Sequence, residues 1–173
     1  MNYATIRNYD IANGEGVRTS LFVSGCTFHC PDCFNPEQQD FNYGKVFTVS
    51  VMDKLLDLVA DSVISGLSIL GGDPLCQDIG GMTRLATVCN YVHDMGKTVW
   101  LWTGFTFEEV YENYTSPIAS ARFNLVLNCD VVVDGPFVKA LSDRALKWRG
   151  SANQRVIDIS KTLQQHKIIL YER

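Results

Sequence analysis

Apolar and polar positions alternate in blocks along this chain, and the blocks predict strands separated by helices. "RTSLFVSG" (residues 18–25) is β-branched and apolar, which predicts a strand ending at Gly25. "TVSVMDKLLDLVADS" then places Val51, Leu55, Leu58 and Val59 at helical spacing, with Thr48 or Ser50 as the N-cap. "GLSILGG" reads as a short buried strand halted by a glycine pair, and "GMTRLATVCNYVHDMG" as a helix closed by Gly96. "KTVWLWTG" predicts a third strand and "TFEEVYENY" a short helix capped by Thr106. "LNCDVVVDG" predicts a fourth strand ending in Asp-Gly. The tail is less sharply patterned, although "KIILYE" has strand character.

Strands alternating with helices indicate an α/β protein on a mostly parallel sheet. The polar motifs fall at or beyond the C-terminal ends of the predicted strands, where such sheets place their ligands. The chain has 173 residues and no Pro/Gly/Ser-rich linker, so one domain over residues 1–173 is expected. A full eight-fold barrel needs about 250 residues, so a small partial (open) β/α barrel or an open sheet is the expected architecture.

Composition narrows the function classes. Hydrophobic residues make up 46% and charged residues 20%, as in ordinary soluble proteins. A formal net charge of −4 argues against a broad nucleic-acid surface. No apolar run is long enough to span a bilayer, and "MNYATIRNYDIANGEG" lacks a signal-peptide pattern, so no membrane partner and a cytoplasmic location are expected.

Six cysteines fit a secreted disulfide scaffold poorly in a chain of this size without an export signal. Cys76, Cys89 and Cys129 stand apart among apolar neighbours and read first as small buried hydrophobes. Cys26, Cys30 and Cys33 instead crowd into "GCTFHCPDCFN". Structural zinc is usually four-coordinate with ligands in two separated pairs, whereas here three thiols share one loop. His29 lies between two of them, and Cys76 remains open as a fourth ligand. The other destination for thiolates is an iron–sulfur cluster, and a four-iron cubane on three cysteines leaves one iron open for chemistry.

The Cys-x-x-x-Cys-x-x-Cys spacing after a first strand resembles the radical S-adenosylmethionine family. That resemblance implies a 4Fe-4S cluster on Cys26, Cys30 and Cys33, with S-adenosylmethionine on the open iron. It further implies cleavage of the sulfonium to methionine and a 5′-deoxyadenosyl radical. An aromatic residue often precedes the third cysteine in this family; here Asp32 holds that place and Phe34 follows. The resemblance assigns groups around Asp32, Cys33 and Phe34 to the adenine edge. "GGDPL" (residues 71–75) alone would be a turn with Asp73 as a cap. Beside the cysteine loop it resembles the family's glycine-rich motif. Gly71, Gly72 and Asp73 then inherit the hold on the methionyl ammonium, with Asp73 in place of the usual glutamate.

Weaker signals follow. Thr103 and Gly104, at a strand end, are candidates to line the cofactor cleft, whereas Trp100 reads as core. Asp134-Gly135-Pro136 is first a turn, and Asp134 a further candidate carboxylate. "LKWRGSANQR" (residues 146–155) is either an exposed loop or a docking or ribose contact through Arg149, Asn153, Gln154 and Arg155.

From about Asp10 to Arg155, the order "DIANGEGVR", "LFVSGC", "CPDCFNPE", "GGDPL", "WLWTG", "VDGPF", "WRGSANQ" resembles one subgroup, the activating proteins of anaerobic ribonucleoside-triphosphate reductase. The resemblance implies an enzyme that places a glycyl radical on the large reductase subunit, fed by a low-potential electron donor. The alternatives are an activase of another glycyl-radical enzyme, such as pyruvate formate-lyase, a small-molecule radical enzyme, or a zinc or iron–sulfur interaction protein without turnover.

Overall fold

The computed structural model describes residues 1–172. Its seven-stranded open sheet has the order β3-β1-β2-β4-β5-β6-β7. The strands are β1 (Asn2–Asp10), β2 (Arg18–Ser24), β3 (Lys45–Val46), β4 (Gly66–Gly71), β5 (Thr98–Trp102), β6 (Val131–Asp134) and β7 (Arg155–Asp158). The four central strands β2, β4, β5 and β6 run parallel, and antiparallel strands close both flanks. The expected α/β class and open sheet hold, with the parallel character carried by the centre.

The connections between parallel strands are helical, as parallel crossovers require. They are α1 (Val49–Ala60), α2 (Ile79–Asp94), and the successive α3 (Phe107–Tyr111) and α4 (Pro117–Leu127); α5 (Ile159–Gln165) follows the last strand. Thr48 caps α1 through Val51 N, as its sequence suggests. Thr106 and Glu109 form a reciprocal capping box at α3.

Each central strand is buried on both faces, but the two faces differ. Leu21, Val23, Leu67, Ile69, Val99, Leu101 and Val132 form the main core with helix residues such as Leu55, Val59, Met82 and Leu85. The opposite face carries Trp100, Val131 and Val133, packed against Trp102, Trp148 and Tyr171. At its N-terminal end that face is tied by Arg18, a fully buried guanidinium. Its Nε donates to Ser68 Oγ at 2.7 Å, and one terminal nitrogen donates to the carbonyls of Leu67 and Thr98, at 2.8 Å each. The Trp100 ring lies 5.5 Å away. Trp100 is core, as expected.

Three departures from the pattern reading have physical causes. "LNCDVVVDG" is not one strand: α4 runs to Leu127, and only Val131–Asp134 is extended. "KIILYE" makes only a single bridge, Leu170 to Ile157, so its strand character is not realised as a strand. Strand β1, with Arg7 exposed, Asn8 half-buried and Asp10 buried, gives no apolar alternation to read.

Candidate functional site

The loop after β2 turns sharply, because Gly25, His29 and Asp32 all have positive φ (105°, 48° and 56°). Its base is sewn to the segment after β4. Gly25 N donates to Gln38 O at 2.8 Å, Gly72 N to Val23 O at 2.8 Å, and Asp73 N to Gly25 O at 2.9 Å. Gln77, 2% exposed, donates through Nε2 to the carbonyls of Ser24, Gly25 and Asp73. Here the glycine pair serves close approach of the chain to itself. A Cβ on Gly72 would stand 2.6 Å from both Gln38 O and Gly25 O.

Asp73 joins this base to β5. Its buried carboxylate accepts from Leu75 N at 2.8 Å and Gly104 N at 2.7 Å, and Thr103 Oγ1 bridges both oxygens at 3.0 Å. Burial pushes the carboxyl up to about 7, the Cys76 charge adds to the rise, and these donors oppose it. Asp73 is thus a structural clamp that holds the strand ends together as well as a wall of the site.

These elements enclose a cavity of about 570 Å³. Cys26, Cys30 and Cys33 line it with Phe34. Gly71, Gly72 and Asp73 form a second wall, and Thr103 and Gly104 a third. Asp32 is exposed and does not line the cavity. Phe34 is 71% exposed, its ring 4.9 Å from that of Phe137. Trp102, whose indole N–H donates to Trp148 O at 2.7 Å, closes the aromatic side, and Arg7 and Arg149 bring positive charge.

The donor set discriminates between metals. His29 Nδ1 lies 3.0 Å from Gln39 Oε1, and His29 does not join the compact donor group among the described residues. Among the described residues the compact donor group is Cys26, Cys76 and Asp73, with ligand atoms within 4.8 Å of one another. Cys30 and Cys33 stand outside that group yet face the same cavity as Cys26. Thiols spread around a cavity fit a polynuclear cluster, whose irons are separate attachment points, better than one tetrahedral ion.

Cys89 and Cys129 are buried, as their apolar surroundings suggest. Cys76 is not: it is half-buried, with Thr27 Oγ1 3.2 Å from its sulfur and Cys26 beside it. The hydrogen bond between the two sulfurs, which keeps the proton on Cys26, lowers the Cys76 thiol and raises that of Cys26.

The later candidates separate. Arg149 and Gln154 line the cavity, with Arg149 donating to Gln154 O at 2.8 Å. Asn153 and Arg155 line a different hollow, with Asp134 and Glu108. Arg155 bridges the carboxylates of Asp134 and Glu108, and Asp134 also accepts from Phe107 N at 2.8 Å. Asp134 therefore turns away from the cysteine cavity, because the α3 terminus and Arg155 claim both its oxygens. Gln77 and Gln38 escape a sequence reading, because lone polar residues outside any motif carry no signal; Phe28 lines the cavity from within the cysteine motif, where the cysteines carry the pattern.

Comparison with known proteins now adds to this geometry. Residues 12–157 match the family described as a 4Fe-4S single cluster domain. The anaerobic ribonucleoside-triphosphate reductase-activating protein of Escherichia coli (strain K12) is 38% identical over 159 residues, covering 90% of this chain and 97% of that protein. The protein of the same name from Vibrio cholerae is 36% identical over 161 residues, covering 89% and 96%. That of Enterobacteria phage T4 is 34% identical over 158 residues, covering 90% and 93%. With a three-thiol cavity at the head of a parallel sheet and relatives matched nearly end to end, the chain belongs to the family of anaerobic ribonucleoside-triphosphate reductase-activating proteins, within the 4Fe-4S single cluster domains.

Proposed function

We propose that this chain is a radical S-adenosylmethionine enzyme that generates a glycyl radical on the large subunit of anaerobic ribonucleoside-triphosphate reductase. It acts as one unit over residues 1–173, its sheet serving as a partial β/α barrel. The observation that carries the reading is the convergence of Cys26, Cys30 and Cys33 with the ends of β4 and β5 on one cavity, in a chain whose relatives bear that name.

Cys26, Cys30 and Cys33 would hold the 4Fe-4S cluster, and S-adenosylmethionine would occupy the rest of the cavity. When bound, the pair supplies reductive cleavage of a sulfonium, and with it the means to abstract hydrogen from carbon. The chain's own work is placement. Gly71 and Gly72 present backbone along one wall, and the Asp73 clamp fixes Thr103 and Gly104 opposite. Asp73 would act on a cofactor ammonium through the wall rather than by direct contact, since its oxygens already have donors. Backbone around Cys33 and the Phe34 ring would meet the adenine. Trp102 and Trp148 keep water from the aromatic side. A partner glycine is the fitting target, because it has no side chain to obstruct approach and selectivity must come from positioning.

The test is anaerobic. Reconstituted protein should carry about four irons and four sulfides per chain. With a strong reductant in place of the low-potential donor it should release methionine and 5′-deoxyadenosine. Mixed with the large reductase subunit, it should give a glycyl doublet by electron paramagnetic resonance. Robust cleavage with a doublet only on pyruvate formate-lyase would overturn the partner, and iron-free zinc binding would overturn the chemistry.

A further inference from the structure

Cys76 is a fourth thiol beside the cluster loop that the proposed activity leaves without a task. It ends the 3₁₀ turn Pro74–Cys76, where Cys76 N donates to Asp73 O at 3.1 Å and Leu75 N to Asp73 Oδ1 at 2.8 Å. The turn is pinned and presents its sulfur to Cys26 across the sewn loop base. The two sulfurs and an Asp73 oxygen lie within 4.8 Å of one another, and both cysteines are half-buried. A lone metal ion is a poor occupant, because the Asp73 oxygens already accept from Leu75 N, Thr103 Oγ1 and Gly104 N. Two adjacent, reachable thiols are instead suited to disulfide exchange. Cys89 and Cys129, 0% and 4% exposed, form a neighbouring pair that small oxidants do not reach.

We propose that Cys26 and Cys76 form a reversible disulfide in the cluster-free chain, by exchange with a low-molecular-weight disulfide such as oxidised glutathione. The Cys76 thiolate attacks one glutathione sulfur; the glutathione S–S bond breaks and one glutathione thiolate leaves. Cys26 then loses its proton to solvent and attacks the Cys76 sulfur, expelling the second glutathione thiolate. Both glutathione thiolates are protonated from solvent. In sum a protein dithiol and one glutathione disulfide give a protein disulfide and two glutathione thiols, and two electrons pass from protein to glutathione. The bond parks Cys26 in a form that reductants restore, short of the irreversible sulfinic and sulfonic acids. Cluster insertion then requires prior reduction of this bond. The consequence for insertion rests on Cys26 being a cluster ligand; the disulfide itself does not.

The full-length chain, stripped of cluster by chelation, is treated anaerobically with oxidised glutathione and mapped by non-reducing peptide mass analysis. The expected result is a Cys26–Cys76 link with loss of two hydrogens per chain, reversed by dithiothreitol, while Cys89 and Cys129 stay unlinked. Cys76→Ser should lack that link and leave glutathione adducts on loop cysteines. A dominant Cys30–Cys33 link, or adducts on Cys26 with Cys76 free, overturns the proposal. The cluster-loaded chain treated alike isolates the other assignment. Protection of Cys26 there supports its being a ligand. Equal linking with the cluster retained leaves the disulfide standing and removes Cys26 from the ligand set.

Discussion

Gly72→Ala should damage the site from beneath, without touching a cysteine. The added Cβ would lie 2.6 Å from Gln38 O, 2.6 Å from Gly25 O and 2.9 Å from Gly25 N. All three are backbone atoms in the sewn base of the cysteine loop, so no flexible side chain can yield. Gly25 is itself held by Gln38 O, Asp73 N and Gln77 Nε2. Relief therefore requires the loop base to move away from β4. Overpacking of this kind costs about 1–3 kcal/mol. The φ of Gly72 is not in the left-handed region, so the cost is one of space.

Gly80→Ala is the matched control. Its Cβ would meet only Asp78 Oδ1, at 3.6 Å, in the first turn of α2, where alanine gains about 0.5 kcal/mol or nothing. Urea unfolding of the two cluster-free variants should thus move in opposite directions, or one should fall while the other stays. Iron retained after anaerobic gel filtration should fall in Gly72→Ala alone. An unchanged urea midpoint for Gly72→Ala, with full iron, would show that the loop base is not rigidly seated and would remove the reasoning that ties the glycine pair to the cysteine loop.

Other substitutions probe neighbouring claims. Gln77→Ala leaves three buried carbonyls short of a donor and should lower stability by about 2 kcal/mol, with faster iron loss, read by urea titration and iron release to a chelator. Arg155→Met strands the buried Asp134 carboxylate; part-exposed Arg155 and Glu108 temper the loss to about 2 kcal/mol, and Asp134→Asn in the same chain should recover part of it in a double-mutant cycle. The Arg155 hydrogen bond holds Glu108 below its ordinary 4.5, so this contact contributes stability above that pH and loses it as pH falls through the lower folded value. Thermal midpoints of wild type should therefore fall on acidification from about pH 6 to about pH 3.5 more than those of Arg155→Met.

The sequence made some of this molecule legible and hid the rest for identifiable reasons. β2, β4 and β5 are apolar runs stopped by glycine, and burial on both faces preserves that signature. α1 shows its face because Leu55 and Val59 point one way into the core. α4 does not: Ile118, Ala121, Phe123, Leu125, Val126 and Leu127 surround its axis, so no stripe distinguishes it from a buried strand. β7 is four residues long and borrows its place from pairing with β6, a tertiary fact. At the site, the cysteine triplet and "GGDPL" are local patterns. The Asp73 clamp on Thr103 and Gly104 spans thirty and thirty-one positions, and no spacing rule encodes it. Cys76 was hidden differently, since its apolar neighbours suggest the core while its turn delivers it to Cys26.

The two faces of the sheet explain why the cavity sits where it does. Helices bury one face in aliphatic side chains, leaving no room there for a polar ligand. On the other face the strands' N-terminal ends are filled by Arg18, Ser68 and Trp100, which satisfy one another. Only toward the C-terminal ends does that face open, where β2 and β4 break at Gly25 and Gly71 and hand the chain to loops. There Cys26, Cys30 and Cys33 line the opening with Gly71, Gly72, Thr103 and Gly104. The antiparallel strands β3 and β7 occupy the sheet edges, with β1 between β3 and β2, and the sheet does not close on itself. An open sheet of this kind leaves the cavity a side through which a macromolecular loop can approach. The cost of that openness is that rigidity must come from below, from Gln77, Asp73 and the glycine pair, and it is there that substitutions of residues other than cysteine should govern how well the cluster is held.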